Sequence, residues 1–498
     1  MRLKSLISLV AFFVFGGVVM NELEFSDLLE KIKDYSEEDI KQVTKAYLYA
    51  KNLHDGQMRQ SGEPYIIHPL NVCYTLAVMH ADCNTLCAAL LHDVLEDTPA
   101  TYEEIEQEFN TDVAKLVDGV TKISNIAFSS KTDRNYANIR KLINGFTEDV
   151  RIIIIKLSDR LHNMRTLQFK RPEKQKEISI ETIEIFAPLA YCIGAYRIKC
   201  DLEDLSLMYL KPDEYKNIVD KKQTIENRSN KLLVEMLKSI EEALNDRSIP
   251  NEIKIKTKNI YGIYRQLNAG HKISDIHDLL ALRVMVESIN DCYQTLGIIH
   301  SKYRPLNDKF KDYIYNPKTN MYRSLHTTVF GKEDKLVQAR IRTFDMDLVA
   351  SYGLPAYWYL NKECAREKMQ EDLINKWQSF DALVEINNAF LDNQEFVTKV
   401  KQEVLSEKIY VYTPKGETME LPKGATPIDF AYKIHTDVGN TMVSAIVNDE
   451  IVPIDYELKN GDIVKIQTDE LEYGSREGWL DKAHTTYAKR KIKEFNRK

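Results

Sequence analysis

Apolar positions recur at helical spacing over residues 39–54 (Ile40, Val43, Ala46, Tyr47, Ala50), and the helix they predict ends at His54-Asp55-Gly56. A second helix is predicted through Ala88-Ala89-Leu90-Leu91 and onward through His92, Asp93, Glu96 and Asp97, with Pro99 stopping it. On one continuous helix His92 lies over Glu96 and Asp93 over Asp97, a narrow polar strip on a buried rod. A third apolar run, residues 151–166, turns abruptly polar and lines up Asp159, Asn163 and Thr166 on one face. Charged helical sequence continues from Leu167 to about Ser248, and residues 188–210 within it read as connecting helices.

The pattern then changes. Residues 253–256 alternate like a strand, a helix is predicted around residues 261–265, and residues 276–286 form a second, largely apolar strand, which together imply a mixed α/β lobe. A charged helical linker is predicted over residues 374–404. Beyond it come short strands at 409–412, 418–421, 443–447 and 463–466, turns at Pro414-Lys415-Gly416 and Asn460-Gly461, and a helix capped by Thr426-Pro427, the pattern of a β-grasp domain.

With 498 residues, 44% hydrophobic and 29% charged, the chain is a folded protein of roughly three domains. Its formal net charge of −7 argues against bulk nucleic-acid binding through an overall basic surface, so any nucleotide site must be local. Seven scattered cysteines without a Cys-x-x-Cys pair favour reduced thiols and a cytoplasmic setting over a disulfide framework or zinc ribbon. The N-terminus departs from that picture, because Arg2 and Lys4 precede an almost wholly apolar run over residues 6–19. The run is short for a membrane span and no Ala-x-Ala-like cleavage site follows it. Met20-Asn21-Glu22 reads as an ordinary start, so residues 1–19 are expected to be an upstream extension of the reading frame, with a membrane tether as the competing reading.

Candidate chemistry gathers at three places. Carboxylates in the last turn of the helix ending at Pro99 face the negative end of the macrodipole, and a nearby cation is the natural compensation. His68, immediately before Pro69, and Asp159 are further candidate ligands; a solvated helix end is the plain alternative. The third place is residues 309–328, where lysines, tyrosines and turn formers alternate, suiting phosphates and a stacked purine.

His68, His92-Asp93 and Asp159, in this order, resemble the metal set of the HD-domain phosphohydrolases. The surrounding words SGEPYIIHP, LLHDVLEDT, LVDGVTK and KLSDRLHNMRTL resemble the long RelA/SpoT homologues, which make and destroy guanosine tetra- and pentaphosphate. The resemblance implies a multidomain chain: an all-α HD hydrolase domain, an α/β nucleotidyltransferase-like synthetase domain and a small β-grasp TGS domain. The limits it implies are 20–200 for the first, 201–250 for connecting helices, 251–373 for the second, 374–404 for a linker, 405–468 for TGS and 469–498 for a helical tail. Two imidazoles and two carboxylates suit a divalent first-row metal; the family's hydrolase implies Mn2+, and residue types alone leave Zn2+ and Fe2+ open. By resemblance, Glu96 and Asp97 orient and deprotonate water, and Arg59, Ser61, Asn163 and Thr166 contact the nucleotide. Gln60 stands where the family usually has lysine. His54, His80 and His162 are expected to be local hydrogen-bonding groups.

The stretch around residues 309–328 resembles the family's pyrophosphokinase domain, which transfers pyrophosphate from ATP to GDP or GTP. Carried over, Asp278 binds Mg2+, Tyr322 stacks on guanine, and Lys311, Lys318, Asn320 and His326 contact nucleotides. Where the family reads Glu-x-Gln-Ile-Arg-Thr this chain reads Gln338-Ala339-Arg340-Ile341-Arg342-Thr343, so the second acidic group is missing. Met321 replaces a loop glycine, Gln266 a basic residue, and Pro355-Ala356-Tyr357-Trp358 an Ala-Ala-His-Trp pattern. Losing a general base typically costs about 10²–10⁴-fold in rate, so synthesis is expected to be absent or very weak.

TPKG, LPKGATPIDFAYKIHTDVGN and LKNGDIVKI resemble the TGS domain, a binding module in which His435 is expected to meet a partner, in the family transfer RNA on the ribosome. Trp479 and a basic helix close the chain at Lys498, so the family's zinc-binding or helical module and its ACT domain are not expected. Four readings follow: a hydrolase of guanosine polyphosphates with a weak or inactive second lobe, a bifunctional enzyme, an HD phosphohydrolase of another nucleotide, and a silent nucleotide-sensing binder.

Overall fold

The computed structural model describes residues 23–124, 137, 140, 143–145, 148–273, 276, 279–306, 309–318, 320–331, 335–361, 383, 386–387, 389–390, 392–406, 408–469 and 478–496. The chain divides into two compact units, residues 1–121 and 122–498. Expectations for residues 1–19, for Asp278 and for most of the linker before Asn393 lie outside the described residues. No helix of the described residues is long and apolar enough to cross a membrane.

The first unit is all-helical. Ser36 caps helix Glu37–Leu53 by accepting from the Asp39 N–H, and Asp82 caps Cys83–Leu91 by accepting from Thr85. Every side chain from Thr85 to Leu91 is buried, and this helix packs against both Glu37–Leu53 and Ile67–Val78. It does not run on to Pro99. It stops at Leu91, and a separate short helix, Val94–Asp97, begins after Asp93. The break has a local cause: the His92 Nδ1 lies 2.8 Å from the Ala89 carbonyl, the acceptor that a continuous helix would offer to the Asp93 N–H. Asp93 then starts the short helix, its carbonyl accepting from Glu96 and Asp97 at 3.1 and 2.9 Å.

The second unit opens with the helix Val150–Arg165, whose Asp149 N-cap accepts from Arg151. Helices Pro172–Glu181, Ala187–Cys192 and Tyr196–Leu210 follow, and then a 34-residue helix, Pro212–Asn245. Five strands succeed it: β1 (Asn251–Thr257), β2 (Leu280–Val286), β3 (Lys311–Asp312), β4 (Leu325–Phe330) and β5 (Leu336–Thr343). The strand expected from residue 276 begins at Leu280, and the loop expected over 309–328 ends in β4, because Leu325, Thr327 and Val329 alternate inward.

The sheet order is β1-β2-β5-β4-β3, with β2 and β5 parallel and the other pairs antiparallel. One face is apolar: Leu282, Val284, Leu325, Val329, Val337, Ala339 and Ile341 pack with Leu233, Met236, Ile240 and Leu244 of the long helix. Burying each such side chain contributes about 1.5–3 kcal/mol, which pins the register and so fixes what the other face displays.

The last domain pairs β6 (Lys408–Tyr412) with β7 (Thr418–Pro422), and β8 (Met442–Val447) with β9 (Glu450–Val452) and β10 (Val464–Thr468). A parallel bridge between Tyr412 and Ile463 joins the two sheets. The expected helix is Pro427–Ile434, capped by a reciprocal Thr426–Asp429 box, and its Phe430 and Tyr432 are fully buried.

Candidate functional site

In the first unit His68 and His92 are both buried, with ring centroids 5.1 Å apart. The Asp93 carboxylate lies between them, Oδ2 at 3.5 Å from His68 Nε2 and Oδ1 at 3.1 Å from His92 Nε2. With its Nδ1 proton given to the Ala89 carbonyl, His92 turns the bare lone pair of Nε2 toward Asp93, and that nitrogen has no hydrogen-bond partner among the described residues. A lone pair facing a carboxylate in a buried pocket is repulsive unless a cation sits within reach of both, so this donor set fits a metal.

Tyr65, which sequence reasoning passed over, joins the expected residues. Its hydroxyl is 2.8 Å from Asp93 Oδ2 and 2.7 Å from Asp97 Oδ2. One proton cannot serve both oxygens fully, which again calls for positive charge nearby. Burial, with the Asp93 charge next, pushes the Tyr65 phenol far above its usual range, so it stays a donor. The available signal was its place three residues before His68. His54 stacks on Tyr65 at 4.6 Å and pairs with Gln57, whose amide donates to the Asp97 carbonyl at 3.0 Å, so His54 is the local group expected of it.

The residues expected to touch substrate sit in a tight loop. Met58 bridges Pro64, the Arg59 N–H bonds the Glu63 carbonyl at 2.9 Å, and Gly62 turns the chain at φ +85°. Ser61 Oγ is buried without a hydrogen-bond partner among the described residues. Glu96 is half-buried and Asp97 exposed.

In the second unit, helix Val150–Arg165 carries Asp159 and Asn163 one turn apart, with the Asn163 amide donating to Asp159 Oδ1 at 2.6 Å. Lys156 lies 3.5 Å from Asp159 Oδ2. Thr166 follows the helix and donates to the His162 carbonyl at 3.2 Å.

The same unit brings most of the second expected set together. Tyr322 Oη is 2.7 Å from His326 Nε2, and Arg342 donates to that hydroxyl at 3.4 Å. Lys318 lies over the rings of Tyr313, Tyr322 and Tyr410 at 4.8, 5.4 and 5.6 Å, the last belonging to β6. The Asn320 amide reaches the Tyr191 carbonyl at 3.4 Å, so in this arrangement it is held by the helical part of the unit. Met321 keeps a left-handed φ of +62°, a conformation that glycine adopts freely and that costs another residue about 1–2 kcal/mol. Gln338 Oε1 accepts from Arg340 Nε at 2.7 Å. Burial pushes His326 well down, and Arg340, Lys318, Arg342 and Lys311 add to it. Burial alone would raise Tyr322, but Arg342, Arg340 and Lys318 outweigh it and bring the phenol down.

Residues 46–195 match the family model described as HD domain, 255–364 the region found in RelA / SpoT proteins, and 409–468 the TGS domain. A guanosine-3′,5′-bis(diphosphate) 3′-pyrophosphohydrolase of Aquifex aeolicus is 42% identical over 481 residues, 96% of this chain and 68% of that protein. The chain belongs to the RelA/SpoT family. Two further RelA/SpoT relatives are each 40% identical. One is a GTP pyrophosphokinase of Myxococcus xanthus, matched over 92% of this chain and 60% of that one. The other is the bifunctional (p)ppGpp synthase/hydrolase SpoT of Escherichia coli, matched over 95% and 67%. The chain thus spans 60 to 68% of the length of these RelA/SpoT relatives. Its HD domain implies a divalent metal.

Proposed function

We propose that the chain is a metal-dependent hydrolase of guanosine tetra- and pentaphosphate, releasing pyrophosphate from the 3′ position and leaving GDP or GTP. The observation that carries the reading is the His92 Nε2 lone pair turned on the Asp93 carboxylate beside His68. The proposal takes Asp159 from the second unit as a further ligand, since two imidazoles and a carboxylate suit a divalent metal. Relatives named as 3′-pyrophosphohydrolases support the substrate, and we assign Mn2+ as the ion.

A divalent cation bound by these residues would supply an acidified water and offset charge on the phosphoryl oxygens. The protein's own residues do the rest. Asp97, with Glu96 beside it, takes the proton of the attacking water, and Tyr65 holds Asp97 and Asp93 in place. The water oxygen bonds to the phosphorus next to the ribose 3′ oxygen, the bond from that phosphorus to the 3′ oxygen breaks, and the 3′ oxygen takes up the proton that Asp97 received and leaves as the 3′-hydroxyl of GDP or GTP, with pyrophosphate as the other product. In this reading Arg59 and Ser61 meet the phosphates, and Asn163 and Thr166 are assigned to contact the nucleotide.

The second lobe is proposed to be a weak or inactive synthetase. Gln338 has an amide where Mg2+ coordination and proton abstraction need a carboxylate, and its oxygen is already engaged by Arg340. The TGS domain is proposed as a docking module, with His435 exposed at the start of helix Thr436–Asn440 and available to an RNA or protein partner. The action is placed in the cytoplasm.

Product analysis after incubation with guanosine tetraphosphate and Mn2+ tests the reading. GDP and pyrophosphate in equal amounts are expected. Orthophosphate release, or equal turnover of nucleotides lacking a 3′-pyrophosphate, would overturn it.

A further inference from the structure

Four lysines converge on one cavity of about 490 Å3 in the second unit, and they come from separate stretches of chain. Lys399 belongs to helix Asn393–Glu403, Lys423 to the turn after β7, and Lys482 and Lys489 to helices Trp479–Lys482 and Thr486–Asn496. Asp481 is the only acidic residue in the lining. Lys482 reaches Asp455 at 3.6 Å, whereas Lys399, Lys423 and Lys489 have no carboxylate partner among the described residues. Like charges gathered in this way repel, so they stay together only where something holds the backbone that carries them.

Two buried carboxylates do the holding. Asp429, beyond its box with Thr426, accepts from the His484 N–H at 3.0 Å and the Thr485 N–H at 2.8 Å. Glu403, the last residue of the Lys399 helix, accepts from the Thr486 N–H at 2.8 Å and from the Thr486 hydroxyl. Residues 484–486 are thereby tied both to the β-grasp domain and to the helix before it, which carries Lys482 and Lys489 to Lys399 and Lys423. The amides of Thr486, Ala488 and Lys489 at the start of their helix are already engaged, by Glu403, the Thr485 hydroxyl and the Thr485 carbonyl. Side chains are what remain to meet a ligand. Ser406 Oγ, in the same lining, is buried with no hydrogen-bond partner among the described residues, and a buried hydroxyl in that state awaits one.

Apart from the His484 ring, which lies against Gly424, the lining has no aromatic or large apolar side chain, so a nucleobase has no platform there. A lone carboxylate brings too little charge to join four ammonium groups. A condensed phosphate brings several negative charges and many acceptor oxygens in a small volume, and lysine meets phosphate as a point charge. We propose that the cavity binds a short inorganic polyphosphate, pyrophosphate being the smallest, which lies among Lys399, Lys423, Lys482 and Lys489. It accepts from Ser406 and fastens helix Thr486–Asn496 to helix Asn393–Glu403. The proposal is independent of hydrolysis, since every residue of the cavity lies outside the groups assigned to that reaction.

Calorimetric titration of the full chain with pyrophosphate, in EDTA and with saturating GDP present, tests it, with amide exchange locating the ligand. Pyrophosphate is expected to bind despite the GDP and to slow exchange over residues 399–406 and 482–489. Lys399→Gln combined with Lys489→Gln is expected to weaken binding about tenfold or more, as losing charged hydrogen bonds requires. Ser406→Ala deletes only a hydroxyl and is expected to weaken it about two- to tenfold, while Lys489→Arg, which keeps the charge, retains binding. Pyrophosphate should raise the melting temperature of the unaltered chain and leave that of the double variant unmoved. Orthophosphate, which spans fewer of the lysines, is expected to bind more weakly. Displacement by GDP, no exchange protection in these segments, unaltered affinity in both the double variant and Ser406→Ala, orthophosphate as tight as pyrophosphate, or an RNA oligonucleotide held more tightly by the same lysines each overturns the proposal.

Discussion

His92 Nε2 stands 3.1 Å from Asp93 Oδ1 while its Nδ1 is committed to the Ala89 carbonyl. The contact is repulsive with nothing between them and attractive around a cation. Mn2+ should therefore raise the melting temperature of the chain with the logarithm of its concentration above the dissociation constant, since a ligand at 100 times its dissociation constant stabilises by about 2.7 kcal/mol. Asp93→Asn should remove most of that gain while leaving the circular dichroism unchanged. A melting temperature indifferent to Mn2+ would sink the assignment.

Tyr65 makes a second, sharper prediction. Tyr65→Phe keeps the ring stacked on His54 and deletes only the hydroxyl between Asp93 and Asp97. Losing a hydrogen bond to a charged group costs about 1.5–3 kcal/mol, so kcat for guanosine tetraphosphate should fall roughly 10- to 100-fold with KM little changed. A rise in KM alone would make Tyr65 a substrate contact instead.

The second lobe should respond to restoring its carboxylate. Incubated with ATP, GDP and Mg2+, the chain should make little or no guanosine tetraphosphate, and Gln338→Glu combined with Arg340→Gln should raise synthesis by about 10²–10⁴-fold, the usual worth of a general base. Robust synthesis by the unaltered chain would refute the inactive-lobe reading.

Acid should loosen this lobe. His326 is held well below its ordinary pKa by burial and by Arg340, Lys318, Arg342 and Lys311, so the unfolded chain binds its proton first. Stability from this group is complete above about pH 6.5, the unfolded value, and is lost as pH falls below it. Asp204, pushed up to about 6 mainly by burial, acts with the opposite sign as pH rises from its ordinary value toward 6. Denaturation from pH 7.5 to 5.5, compared between the chain and His326→Asn, isolates the histidine: the variant should lose less stability on acidification.

Much of this was legible in the order of residues. His68, His92-Asp93 and Asp159 stood out because a metal needs those residue types, and the apolar runs marked the helices that carry them. The break at His92 did not, since it depends on a ring nitrogen capturing a backbone carbonyl. Tyr65 looked like any loop aromatic until its hydroxyl fell between two carboxylates. The pairing across the sheet was invisible for a different reason: Lys254, Arg283, Lys311, His326 and Arg340 are far apart in sequence, and only strand register sets them side by side. Met321 was noticed as a replacement for glycine, but its left-handed φ shows that the loop kept the shape that glycine favours.

The most direct test of the metal-dependent hydrolase is pyrophosphate release from guanosine tetraphosphate by the full chain and by Asp159→Ala, each stripped with EDTA and resupplied with Mn2+. The account predicts release by the unaltered chain only after Mn2+ is returned, and none above background from a folded Asp159→Ala. Release that survives EDTA, or an Asp159→Ala chain as active as the unaltered one, would contradict it.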